Sequence, residues 1–139
     1  MPTIFERLLS GELPCAKVYE DAWVFAFMDA GQLNPGHVLV ATKKPYPTLM
    51  EADEASVEAM MRVARRIARA IDQVFHPDGI TVLQTNKEAG WQTVPHLHLH
   101  VVPRYTDDGV GLIWPRKDPS FQVLSSYAIQ IQHCAEMQC

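Results

Sequence analysis

The sequence predicts an α+β domain, with a mostly antiparallel β-sheet and its helices on one face of that sheet. Two observations carry the prediction. Apolar residues recur with a period of about 3.6 residues over 53–75, which is typical of one long helix. Short segments rich in β-forming residues lie on both sides of it, separated by turn-forming residues. The 139 residues favour a single domain, 1–139.

The predicted strands are bounded by glycine, proline, asparagine and aspartate. They lie at residues 16–20, 23–28, 37–41, 79–86 and 94–102. A tight turn at Glu20 and Asp21 predicts that the first two strands form an antiparallel hairpin. The Asn34-Pro35-Gly36 turn precedes the third strand, and Pro103 and Arg104 close the fifth.

Three helices are predicted around these strands. The first is short and covers residues 4–9. The long helix at 53–75 has Asp53 or Ser56 as its N-cap, because both side chains can accept a hydrogen bond from the first turn. A tail helix is predicted at 125–137.

The charge pattern argues against nucleic acid and membrane partners. Lys and Arg number 12 against 16 Asp and Glu, which gives a net charge of −4, whereas a general DNA binder carries a clustered basic face. Four arginines on the long helix are interpreted as a solvated face, at positions 62, 65, 66 and 69. No apolar stretch approaches the ~18 residues of a membrane helix. The N-terminus lacks a signal-peptide pattern, so we expect a cytoplasmic protein.

Cysteine spacing argues against disulfides and thiolate zinc sites. The three cysteines, Cys15, Cys134 and Cys139, are odd in number and contain no C-x-x-C pair. We therefore interpret them as small apolar or tail residues.

The most informative segment holds three histidines at alternate positions. On a strand, His96, His98 and His100 would project from one face, since successive side chains point to opposite faces. The intervening apolar residues, Leu97, Leu99 and Val101, would then pack beneath the long helix. A row of imidazoles makes a poor core, because each ring needs polar partners.

Two chemistries use such a row. One is metal binding, in which His96 and His98 would be ligands of a metal-dependent hydrolase. The other is phosphoryl or nucleotidyl transfer. There one imidazole attacks phosphorus while its neighbours bond the phosphate oxygens and protonate the leaving group. Gln92 and Thr93, just upstream, add uncharged hydrogen-bond donors for such a phosphate.

These residues resemble a known family. Residues 89–104, AGWQTVPHLHLHVVPR, are similar to the H-x-H-x-H motif of the histidine triad (HIT) superfamily. Upstream blocks appear in the family's order, at residues 3–5, 11–14, 18–21, 26–29, 34–40 and 43–45. The resemblance covers about 3–105, leaving 106–139 as a C-terminal tail. It implies a HIT-like fold with a five-stranded, mostly antiparallel sheet, a long helix, a short N-terminal helix and a C-terminal tail helix.

The resemblance also implies an activity. The implied enzyme is a nucleotide hydrolase or transferase that cleaves at the α-phosphate of its substrate. That substrate would be a nucleoside phosphoramidate or a (di)nucleoside polyphosphate, and the product would be a mononucleotide such as AMP or GMP. His98 would be the nucleophile and would carry a nucleotidyl-histidine intermediate. His96 and His100 would shape the site, with His100 at the phosphate or leaving group, and His37 would support the triad. Gln92 joins this catalytic group.

Further positions match the family's nucleotide-binding residues. Asp29 would accept hydrogen bonds from both ribose hydroxyls, and Asn86 and Thr93 would hold phosphate or leaving-group oxygens. Three apolar residues would wall the base pocket, namely Phe5, Leu8 and Phe27.

The resemblance implies a homodimer whose subunits join their sheets and pack their long helices. No cofactor is expected, because an imidazole needs no metal to form the covalent bond. No structural zinc is expected either, since Glu6 and Arg7 stand where many relatives have a cysteine ligand. Trp91 stands where a glycine is common and is expected to cover the pocket. The segment that begins at Leu112 is expected to select the leaving group.

Two alternatives stay open: the metal-dependent hydrolase, and a nucleotide-binding adaptor without turnover. Sensitivity to a chelator would distinguish the first from a metal-free enzyme, and a trapped covalent adduct would distinguish the second.

Overall fold

The computed structural model describes residues 1–111 and 115–138. Its helices are α1 (Ile4–Leu9), α2 (Glu54–Phe75) and α3 (Phe121–Gln132). Its strands are β1 (Lys17–Glu20), β2 (Val24–Met28), β3 (Val38–Thr42), β4 (Gly79–Gln84) and β5 (His98–Arg104). The strands form one sheet in the order β1-β2-β3-β5-β4, and every neighbouring pair is antiparallel. This confirms the predicted α+β class and the five-stranded sheet.

One face of the sheet is covered by α2. The strands contribute alternate apolar side chains to this core, among them Val24, Val40, Leu99 and Val101, and Leu97 joins them from just before β5. The helix contributes side chains along one stripe, Ala59, Met60, Val63, Ala64, Ile67 and Ile71. Leu97, Leu99 and Val101 therefore pack beneath the long helix as predicted, which turns the intervening imidazoles to the other face.

Helix α1 lies on that opposite face, so the expectation that the helices share one face is wrong. Phe5 packs there with Phe25 and Phe27 of β2 and with Leu39 of β3. The rings of Phe5 and Phe27 meet edge to face at 5.3 Å. Strand β2 is buried on both faces, so it offers apolar side chains to α1 as well as to α2.

Strand β5 begins later and ends later than the predicted range of 94–102. Pro95 lacks an N–H group, and the chain turns around it so that the His96 N–H donates to the Val94 carbonyl across 2.8 Å. The ladder with β3 therefore starts at His98, opposite Ala41. At the other end Pro103 lies beyond the last residue that pairs with β3, so β5 continues to Arg104 along β4.

The helix boundaries follow their caps. The Asp53 side chain accepts from the Ser56 N–H, which makes Asp53 the N-cap of α2, as predicted. Helix α3 starts four residues earlier than predicted, because Ser120 caps it by accepting from the Val123 N–H. The positions 112–114, to which leaving-group selection is attributed, and Cys139 lie outside the described residues. Among the described residues, no helix has the length and apolarity to cross a membrane.

Candidate active site

A cavity of about 420 Å³ opens on the α1 face of the sheet. That volume falls in the usual range of small-molecule sites, roughly 300–1,000 Å³. Much of its wall is apolar and comes from α1, β2, β3 and the segment before β5, including Ile4, Phe5, Leu8, Phe27, Leu39 and Val94. Its polar side chains are Asp29, Thr93, His98 and His100. The cavity thus combines an apolar slot with a polar end.

His98 has a fixed tautomer. Its Nδ1 lies 2.6 Å from the backbone oxygen of His96, and because a carbonyl can only accept, Nδ1 carries the hydrogen. In the neutral ring the lone pair is then on Nε2. That atom makes no hydrogen bond within residues 1–111 and 115–138, and the ring lines the cavity. His98 therefore presents an unprotonated nitrogen to a ligand.

His96 is completely buried and does not line the cavity. Its Nε2 donates to the Thr42 carbonyl across 2.6 Å, so its Nδ1 accepts the hydroxyl hydrogen of Thr3 across 3.0 Å. Thr3 is also the N-cap of α1 and accepts from the Glu6 N–H. His96 thereby joins α1 to β3, and the His96 carbonyl orients His98.

A second pair of imidazoles lies beside His98. The Leu33 N–H donates to Nδ1 of His37 across 3.2 Å, which places the hydrogen of a neutral His37 on Nε2. That Nε2 lies 3.0 Å from Nδ1 of His100 and donates to it. The hydrogen of a neutral His100 is consequently on its own Nε2. The two rings next to the cavity thus differ: His98 offers a lone pair and His100 offers a hydrogen.

Asp29 lies between the imidazoles and lines the same cavity. Its Oδ2 is 3.4 Å from Nε2 of His37 and 4.0 Å from Nδ1 of His100. Its Oδ1 accepts from the Gly31 N–H across 2.9 Å, which holds the carboxylate at the start of the turn. One carboxylate therefore supplies negative charge beside two imidazoles.

Burial lowers the pKa of all four histidines in and around the site, His37, His96, His98 and His100. The pKa of His98 falls to about 4, mainly through burial and further through the neighbouring His100 and His96 rings, which oppose a positive charge. The His98 ring is therefore neutral near pH 7, and its Nε2 lone pair is available.

A second cavity of about 250 Å³ lies on the far side of His100. It shares Asp29, Thr93 and His100 with the first cavity. Its other walls come mainly from β4, β5 and loops, and include Leu33, Thr81, Leu83, Thr85, Trp91 and Arg104. His100 thus borders two spaces, either of which can hold one part of a larger ligand.

Seven of the predicted site residues line the first cavity together, namely Phe5, Leu8, Phe27, Asp29, Thr93, His98 and His100. His37 contacts His100 and lines the second cavity. Their roles stay predictions, but the structure brings them into one region.

Two other predicted residues point elsewhere. The Gln92 amide accepts from the Lys87 N–H and donates to the Pro47 carbonyl, each across 2.7 Å. The Asn86 side chain accepts from the Leu49 N–H across 2.8 Å. Neither side chain lines either cavity, and both hold loops together; their roles toward a ligand stay predictions.

Trp91 borders the second cavity and not the first. Its φ angle is 75°, in the left-handed region that bulky residues rarely adopt. Its N–H donates to the Glu88 carbonyl across 2.9 Å and closes a 3-10 turn at Glu88–Gly90. Trp91 thus lies at the wall of the second cavity, and its role as a cover stays a prediction.

Asp29, His37 and His100 are the one group of described residues whose ligand atoms lie close enough to hold a metal ion. Their separations, 3.0, 3.4 and 4.0 Å, are compatible with a tetrahedral ion. The donor atoms are not compatible with a metal ion. The Leu33 N–H donates to Nδ1 of His37, so the ring hydrogen is on Nε2, which is the nitrogen that would have to bind the metal. The residues therefore do not fit a resident metal.

The residues that hold these rings were not among the predicted site residues. Thr3 and Thr42 fix His96, and the Leu33 N–H fixes His37. Only Thr3 has a local signal, since Thr3 with Glu6 forms a capping-box pattern before α1.

Comparison with known proteins places this geometry in a family. The HIT domain profile matches residues 10–107. The chain is 39% identical over 112 residues to Protein hit of Bacillus subtilis, covering 80% of this chain and 77% of the relative. It is 31% identical over 116 residues to the adenosine 5'-monophosphoramidase hnt1 of Schizosaccharomyces pombe, covering 83% and 84%.

A solved structure has the same architecture. The crystal structure of a HIT family member from Bacillus subtilis superposes with a TM-score of 0.91 at 34% identity, covering 96% of this chain and 97% of that one. The profile match and the shared fold agree with the alternate histidines, and the chain belongs to the HIT family.

Proposed function

We propose that this protein is a nucleotidyl hydrolase or transferase that forms a covalent bond between His98 and the α-phosphorus of a nucleotide. One observation carries the proposal. The His98 Nδ1–H bond to the His96 carbonyl leaves an unprotonated Nε2 at a cavity that has an apolar slot and a carboxylate. An imidazole in this tautomer is ready to act as a nucleophile, and the carbonyl stabilises the positive ring that forms.

The first step exchanges one bond to phosphorus for another. The Nε2 lone pair of His98 forms an N–P bond, and the bond from phosphorus to the leaving group breaks with its electron pair. A phosphate leaving group departs as an anion. An amine leaving group takes the Nε2 hydrogen of His100, and a proton from solvent replaces that hydrogen on the ring. The Asp29 carboxylate, 4.0 Å from Nδ1 of His100, favours the uptake of that proton.

The second step returns His98 to its starting state. Water attacks phosphorus and its proton passes to solvent, while the N–P bond breaks and its electron pair returns to Nε2 of His98. An acceptor other than water would make the same step a transfer. The mononucleotide is released.

The first cavity has the chemistry that a nucleoside needs. Phe5, Leu8 and Phe27 in its wall supply apolar contacts for a base. The Asp29 carboxylate, on the same wall as His100, can accept hydrogen bonds from ribose hydroxyls. The Schizosaccharomyces pombe relative is named an adenosine 5'-monophosphoramidase, which supports a nucleoside phosphoramidate as the substrate class.

The experiment is to trap the intermediate. The protein is mixed with adenosine 5'-phosphoramidate, quenched near neutral pH and measured by intact mass spectrometry, with peptide mapping of the adduct. We expect the mass of one adenylyl group on the 96–100 segment and release of AMP. The His98→Ala variant should show neither, while the exposed His133→Ala variant should show both. Turnover by His98→Ala at the wild-type rate would exclude the proposal.

We also propose that the protein acts as a homodimer. Helix α3 contains no charged residue, and its large apolar side chains are exposed, with Phe121 at 81% and Ile131 at 63%. Helix α2 exposes Met61 and Val74, and within the described residues the edge strand β4 pairs only with β5. A second copy can cover these apolar side chains and extend the sheet.

Light scattering after size exclusion tests the dimer. We expect twice the mass of one chain for the wild type. Val82→Lys places a charge on the exposed edge strand β4 and should shift the mass toward one chain. Lys17→Ala, on the exposed strand β1 at the other edge, should not. A wild type that stays at the mass of one chain at all concentrations would exclude the dimer.

A further inference from the structure

The loop between β2 and β3 carries both Asp29 and His37, and one side chain inside it bonds both of its ends. The Gln32 Nε2 donates to the Asp29 carbonyl across 2.5 Å and to the His37 carbonyl across 2.7 Å. Its Oε1 accepts from the Gly36 N–H across 2.8 Å and from the His37 N–H across 3.0 Å. The amide therefore lies across the neck of the loop.

These contacts use the full capacity of the side chain. A primary amide has two hydrogens to donate and one oxygen with two lone pairs, and all four are engaged. Glutamate in the same place has no hydrogen to donate when ionised, and asparagine is one carbon shorter. The arrangement thus selects glutamine by its chemistry and by its length.

The loop ends that Gln32 joins are those that carry the site. The Asp29 N–H donates to the His37 carbonyl across 3.1 Å, so Gln32 bonds a carbonyl that also closes the end of the β2–β3 pair. In the same loop the Leu33 N–H meets Nδ1 of His37. The position of this N–H decides which nitrogen of His37 holds a hydrogen, and through His37 it decides the tautomer of His100.

We propose that Gln32 is a positioning residue of the site: its amide holds Asp29 and His37 at the two ends of the loop so that His37 presents Nε2–H to His100. The proposal rests on the proposed function for its kinetic consequence. The structural consequence, which is the tautomer of His100, does not depend on the proposed function.

The first test is kinetic. We expect Gln32→Ala and Gln32→Glu to lower kcat/KM for adenosine 5'-phosphoramidate by about 10–100-fold, since loss of a group that orients a site residue has effects of that order. Asn34→Ala is the matched control, because it removes an amide from the same loop that bonds the Pro103 carbonyl and Asp108 instead. It should change kcat/KM less than 2-fold.

The path through His37 is tested by combining substitutions. If Gln32 acts through His37, Gln32→Ala should cost little further activity in a protein that already carries His37→Ala, so the two effects are far from additive. Full additivity would overturn the assignment, because it would mean that Gln32 affects activity by general loosening of the fold.

The second test needs no turnover. Nitrogen NMR of the histidine rings reports which nitrogen carries the hydrogen. We expect His37 and His100 to be single Nε2–H tautomers in the wild type and in Asn34→Ala, and His100 to become a mixture in Gln32→Ala. A Gln32→Ala protein with a lower Tm but unchanged tautomers would overturn the proposal. If the wild type cleaves no nucleotide, the proposed function fails and this measurement still decides the role of Gln32.

Discussion

The backbone carbonyl of His96 accepts the Nδ1 hydrogen of His98 across 2.6 Å, so one histidine of the motif sets the chemistry of the next. His96 is itself fully buried and bonded to Thr3 and Thr42. The alternate histidines therefore divide into a buried anchor and two rings that border the cavity.

Substitution of His100 should discriminate between leaving groups. An amine leaving group needs a proton, whereas a phosphate departs as an anion, so His100→Gln should slow cleavage of a nucleoside phosphoramidate more than that of a dinucleoside polyphosphate. We expect a loss of about 10²–10⁴-fold for the first and a loss at least 10-fold smaller for the second. Steady-state release of AMP from both substrates measures the difference. Equal losses would show that His100 only binds phosphate.

Acid should destabilise the fold through His98. Its pKa is lowered from 6.5 to about 4, so between these values the unfolded chain binds a proton that the folded chain does not. The free energy of unfolding should therefore fall as the pH drops from 6.5 toward 4, by ~3 kcal/mol from this group. Above pH 6.5 both states are neutral at His98, and this dependence disappears.

Urea unfolding at pH 7.5, 6 and 5 measures that slope. His98→Gln should make it shallower, with the buried His37, His96 and His100 contributing the rest, and the exposed His133→Gln should leave it unchanged. A slope that is identical in all three proteins would show that His98 contributes nothing to acid sensitivity.

Gly36 should tolerate no side chain. Its φ angle is +104°, and a Cβ atom would lie 2.9 Å from the Phe75 ring at the end of α2. Gly36→Ala should lower the free energy of unfolding by about 2–4 kcal/mol, through backbone strain and overpacking together. Gly90→Ala is the control, because its φ is not positive and no atom lies within 4 Å of the added carbon. Equal Tm values for the two variants would contradict this account.

Turnover should not depend on a bound metal. The Leu33 N–H leaves His37 with a hydrogen on the nitrogen that faces Asp29 and His100, which opposes metal binding by this group. We expect elemental analysis of the purified protein to find less than one metal ion per chain, and activity on a phosphoramidate to survive dialysis against EDTA. Loss of activity in EDTA that zinc restores would favour the metal-dependent alternative.

Local patterns predict the helices and the sheet well, because periodicity and turn residues are local properties. Alternation alone places Leu97, Leu99 and Val101 under α2 and sends His98 and His100 to the other face. The pattern fails at Pro95, where one missing N–H group delays the strand.

The hydrogen-bond partners of the site are the part that the sequence does not reveal. Gln92 lies just upstream of the motif, close enough to suggest a catalytic role, and its amide donates to the Pro47 carbonyl, which is 45 residues away in the chain. His96 likewise meets Thr3 across 93 residues. Such contacts depend on how distant loops meet, and no periodicity or spacing encodes them.

The separation of the two sheet faces has a consequence for redesign. The packing that holds α2 to the sheet shares no side chain with the walls of the larger cavity, apart from Met28 at the edge of both. Ile4 and Leu8 can therefore be enlarged or trimmed to change the shape of the cavity while the layer under α2 stays intact. The stability cost of such a change falls on the α1 side of the scaffold, where the cavity wall and the smaller apolar cluster share Phe5, Phe27 and Leu39.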